Sequence, residues 1–80
     1  MKILLFGKLR DALGEACDIA WVEGETVSTL RGRLAALHPH AAGDLLSPRV
    51  RACVGDTIVT DDYPLAVNEC VEFLPPLSGG

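Results

Sequence analysis

Eighty residues make one domain with a small core, too small for a large internal active-site cavity. Hydrophobic residues at 49% and charged residues at 22% exclude a disordered chain. Seven Lys and Arg stand against 11 Asp and Glu, a net charge of -4 with no basic run. That balance argues against nucleic acid as a partner and suits either docking on a basic protein or plain solubility.

Residues 3–6 are continuously apolar and stop at Gly7, which reads as a central strand buried on both faces. The opening segment carries one charge and is far short of a signal core or a membrane span, so the chain is expected in the cytosol. Residues 8–14 are polar and have room for one helical turn. Residues 16–22, with Ile19, Trp21 and Val22, read as a second strand paired to the first. Gly24-Glu25 breaks that strand, and Thr26 offers an N-cap to Val27, Leu30, Leu34 and Leu37, which recur at helical spacing. Pro39 ends this helix near His38.

Residues 40–48 form a connection that requires no regular element. Val50, Ala52 and Val54 then alternate with Arg51 and Cys53, and Gly55-Asp56 turns the chain into Ile58-Val59, a hairpin. The last strand runs over residues 70–74, where Val71 and Phe73 alternate with Glu72 before Pro75-Pro76 ends pairing. The order β-β-α-β-β-β predicts an α+β roll with one main helix on a mixed sheet of about five strands, first and last strands central.

Conventional catalytic patterns are missing: no Ser-His-Asp spacing, no paired-carboxylate site, no phosphate-cradling glycine loop. His38 and His40 would need further ligands to hold a metal, and none is expected. Asp61 and Asp62 read as turn formers, and Arg10-Asp11 as an exposed pair. Cys17, Cys53 and Cys70 form no C-x-x-C motif and read as reduced, structural residues.

The tail carries the chemistry. Two glycines at the end arise by chance in roughly one chain in two hundred, and here they follow Pro75-Pro76-Leu77-Ser78. The prolines hold the chain extended, and Gly79 and Gly80 lack the Cβ atoms that would bar a narrow channel. The reactive group would be the Gly80 carboxylate, with residues 1–74 as its carrier domain and 75–80 as a flexible tail.

Residues 71–80, an apolar strand, a double proline and a small polar residue before Gly-Gly, resemble the end of the small subunit of molybdopterin synthase. That family is a sulfur-carrier group with the ubiquitin-like β-grasp fold. Residues 6–14, Thr26-Val27 at the helix start and Val54-Gly55-Asp56 are similar to it as well, whereas Val67-Asn68-Glu69-Cys70 departs from its usual Gly-Asp-Glu turn. The resemblance implies an E1-like, ATP-dependent activating enzyme that adenylates Gly80 and a persulfide donor that makes it a thiocarboxylate. It further implies a molybdopterin synthase large subunit, joined with this chain in a heterotetramer, that holds the catalytic side chains and receives the sulfur for the molybdopterin dithiolene. ATP would belong to the activating partner, and this chain would bind no cofactor. Ser78 and Gly79 would enter the partner's active site, and Phe6, Leu74, Pro75, Pro76 and Leu77 would dock it. Other readings are a carrier for thiamine or cysteine synthesis, protein conjugation through the same carboxylate, and a β-grasp binding module with an inert tail.

Overall fold

The computed structural model of the chain describes residues 1–76. Its elements are β1 (Lys2–Leu5), α1 (Gly7–Leu13), β2 (Ala16–Asp18), α2 (Val27–Leu37), a 3₁₀ turn (Pro39–Ala41), α3 (Ala42–Leu45), β3 (Arg51–Val54), β4 (Thr57–Val59) and β5 (Cys70–Leu74). The strands form one mixed sheet in the order β2-β1-β5-β3-β4. β1 and β5 are parallel, pairing Ile3 with Val71 and Leu5 with Phe73, and the other neighbours are antiparallel. The first and last strands are thus adjacent and central, as the element order implied.

Period-two alternation divides each strand between two faces. Ile3, Leu5, Val71, Phe73, Ala52 and Val54 point inward with exposures of 8% or less, against Val27, Leu30 and Leu34 of α2. Leu4, Glu72 and Leu74 point the other way and are half-buried. The apolar run of residues 3–6 therefore does not signal cover on both faces: Ile3 and Leu5 are sealed while Leu4 and Phe6 stay partly open. The second strand is also shorter than expected. Pairing to β1 stops at Asp18, and Trp21 instead donates its indole N–H to the Leu65 carbonyl at 2.7 Å.

Thr26 caps α2 through a reciprocal pair of bonds with Thr29, a capping box with Thr in place of the usual Glu or Gln. At 100° per residue the stripe centred on Val27, Arg31 and Leu34 leaves Leu37 at its margin, and Leu37 is 64% exposed rather than packed. The connection after α2 is more ordered than its glycine and proline suggested. Pro39 starts a 3₁₀ turn, and α3 follows it to bury Ala41 and Leu45. The Gly55-Asp56 loop has positive φ at both residues (56° and 66°), the geometry of a two-residue hairpin turn.

Candidate functional site at the tail root and the open sheet face

β5 delivers the chain to one end of the sheet. Phe73 is fully buried, and Leu74, one residue on, faces outward beside the backbone of β3, with Arg51 as its cross-strand partner. Because β1 runs parallel to β5 with Leu5 opposite Phe73, Phe6 and Leu74 leave the ladder side by side. Gly7 then turns away with φ of 62°, and its bare Cα lets Pro75 pack close: a Cβ at Gly7 would lie 2.8 Å from the Pro75 Cβ. Four of the residues singled out in the sequence, Phe6, Leu74, Pro75 and Pro76, thus meet at one end of the sheet. Leu77, Ser78, Gly79 and Gly80 lie outside the described residues.

At the tail root is an open cavity of about 400 Å³, lined by Phe6, Pro75 and Pro76 together with Ser47, Arg49 and Val50, and also by Lys8 and Asp44. The lining at Ser47 and Val50 is fixed by a buried cation. Arg31 is 6% exposed; its guanidinium donates to the carbonyls of Leu45 (2.9 Å), Ser47 (3.1 Å) and Val50, and its Nε donates to Asp61 (3.0 Å). The same group stacks 5.3 Å from the centre of the Phe73 ring. One side chain therefore joins α2, the loop that carries Ser47 and Arg49, the turn after β4, and β5 itself. Asp61 is more than a turn former, as its ion pair with Arg31 shows.

A second buried polar residue anchors the start of α2. Glu25 is 2% exposed and accepts from the Thr29 hydroxyl and the Arg33 guanidinium. Arg10 pairs with Glu15 rather than with its neighbour Asp11. His38 and His40 stack edge to face at 6.1 Å, and among the described residues no group of three or more His, Cys, Asp or Glu is placed to hold a metal ion.

The outward sheet face adjoins the tail root. The register puts Ala16, Leu4, Glu72, Cys53 and Ile58 in one row across all five strands, and Leu74 and Arg51 in the next. Ile58 is 57% exposed. Burial, and then the Glu72 and Asp56 carboxylates, push the Cys53 thiol above its ordinary value. All three cysteines are free, with Cys53 buried and Cys17 and Cys70 half-buried. Sequence reasoning singled out Leu74 but neither Lys8, Ser47 and Arg49 nor Leu4, Glu72 and Ile58. Strand alternation carried a signal for Glu72, which shares parity with Leu74; nothing local announced the cavity wall, which depends on the long-range reach of Arg31.

What this arrangement offers is a rigid platform and an exit for the chain, with no cluster of acid, base and nucleophile among the described residues. The molybdopterin synthase sulfur carrier subunit of Escherichia coli (strain K12) is 35% identical over 81 residues, covering 100% of this chain and 99% of that protein. In fold, the small archaeal modifier protein 1 of Haloferax volcanii matches with a TM-score of 0.82 at 17% identity over 95% of each chain. A Pyrococcus furiosus protein described as molybdopterin converting factor, subunit 1, matches with a TM-score of 0.79 at 22% identity, also over 95% of each chain. Both structures share the ubiquitin-like β-grasp architecture. Residues 3–80 match the ThiS family, and the chain belongs to it.

Proposed function

We propose that this chain is a sulfur carrier for molybdopterin synthesis, working through the carboxylate of Gly80. The observation that carries this reading is the 35% identity to a molybdopterin synthase sulfur carrier subunit along the full length of both chains. The chemistry is reasonable for such an end. A carboxylate is a poor electrophile, and adenylation by an E1-like, ATP-dependent enzyme would give its carbon a good leaving group, AMP. A persulfide donor's terminal sulfur would then attack that carbon and expel AMP, and cleavage of the sulfur–sulfur bond by a thiol would leave a thiocarboxylate, a soft nucleophile at neutral pH.

Within this reading the described residues supply recognition and positioning. Pro75 and Pro76 start the tail in an extended direction from a fixed root. Phe6, Leu74 and the open sheet face would seat a large subunit of molybdopterin synthase, whose side chains would perform the transfer to the pterin while Leu77, Ser78 and Gly79 thread into it. The chain itself would hold no cofactor or metal. No helix among the described residues is long and apolar enough to cross a membrane.

The test is the intact mass of the chain after incubation with an activating enzyme, ATP and a persulfide donor. The expected outcome is the gain that replaces one oxygen by sulfur, located at Gly80 and dependent on ATP. An unchanged mass with an enzyme shown to be active on another carrier would overturn the reading, and a bond from Gly80 to a lysine amine would replace it with conjugation.

A further inference from the structure

Glu72 sits on β5, the middle strand of the sheet, and points to the open face. Its cross-strand neighbours there are Leu4 on one side and Cys53 on the other, with Ile58 beyond Cys53 and Leu74 two residues along the same strand. Glu72 is half-buried beside these side chains, yet no ion pair among the described residues includes it. Lys2 and Arg51 share the face and both stay outside salt-bridge distance of it.

A protein that covers this face strips water from Glu72. Burying a carboxylate that has no cationic partner is costly, and the contacts of Leu4 and Leu74 around it do not offset that cost. An apolar partner surface would therefore be rejected at this one point. From this we infer that Glu72 is a specificity-determining contact: the large subunit that takes the tail presents an arginine or lysine, set in an apolar surround, to the centre of the sheet. An arginine suits the position best, since its planar fork can bond both carboxylate oxygens and stays charged when desolvated. The inference rests on the carrier reading above and adds to it the charge of the docking partner at a stated place.

The experiment is the affinity of purified large subunit for the parent chain and for Glu72→Gln, Glu72→Ala and Glu72→Lys, each checked for an unchanged thermal midpoint. A desolvated charge pair predicts that Gln weakens binding by about tenfold and Lys by about a hundredfold or more. Ala should also bind more weakly than the parent, because it strands the partner's cation. If Gln or Ala binds as tightly as the parent, the contact is apolar and the inference falls while the carrier reading stands. If the parent itself does not bind the large subunit, both fall together.

Discussion

On the open side of the sheet Cys53 lies between two carboxylates, Glu72 across the ladder and Asp56 in the hairpin turn. Its ordinary value is 9.0; burial raises it first, and the two negative charges raise it further by opposing the thiolate. A raised folded-state value means that the native form holds the proton more firmly than the unfolded chain does. The stability this contributes is whole below the unfolded value and is lost as pH rises through that value toward the folded one. Urea midpoints measured between about pH 8 and pH 10 should therefore fall more steeply for the parent than for Cys53→Ala. Iodoacetamide at neutral pH should correspondingly leave Cys53 unmodified until the chain is unfolded, because the thiolate is the reacting form.

Between elements, the decisive tie is Arg31. The helical stripe of Val27, Leu30 and Leu34 encloses position 31, yet the sequence reading did not single out Arg31, and its partners on α3 and the following loop left no local signal. Local signals served well where structure is local. The cap at Thr26, the Gly55-Asp56 turn and the alternation of β5 each depend on residues within a few positions. They served poorly where partners are distant: beyond the mutual Met1–Ile19 bonds the chain leaves β1 and Trp21 donates to the Leu65 carbonyl, and residues 39–45 become helical because Ala41 and Leu45 can be buried against α1 and α2. The tail root was half legible, since Phe6, Leu74, Pro75 and Pro76 could be named, whereas Ser47 and Arg49 come to it from a distant loop that Arg31 ties down at the Ser47 carbonyl. Arg31→Ala leaves buried carbonyls of Leu45 and Val50 without a donor and removes the cation over Phe73. It should cost about 3 kcal/mol in urea unfolding. Arg31→Lys should recover only part of that loss, because one ammonium cannot donate to the loop carbonyls and to Asp61 at once.

At the scale of the whole molecule, the sheet keeps the buried core on one face and leaves the other open. The buried core runs from Ile3 to Phe73, and β5 closes the fold by lying between β1 and β3 as its final strand. Everything beyond Pro76 comes after the last core side chain in sequence. The domain should therefore tolerate loss of residues 77–80 far better than loss of any core contact. A chain ending at Pro76 is expected to keep its thermal midpoint to within about 2 °C, while Phe73→Ala, which empties the site beneath the Arg31 guanidinium, should lose about 3–5 kcal/mol. On the carrier reading proposed above, the shortened chain should nevertheless accept no sulfur from an activating enzyme and persulfide donor. On the same reading it should still compete with the parent for a molybdopterin synthase large subunit, because Leu74 and the open face remain. A shortened chain that melts much earlier would place the tail in the fold rather than in the reaction; one that folds but fails to compete would move the recognition from the sheet to the tail.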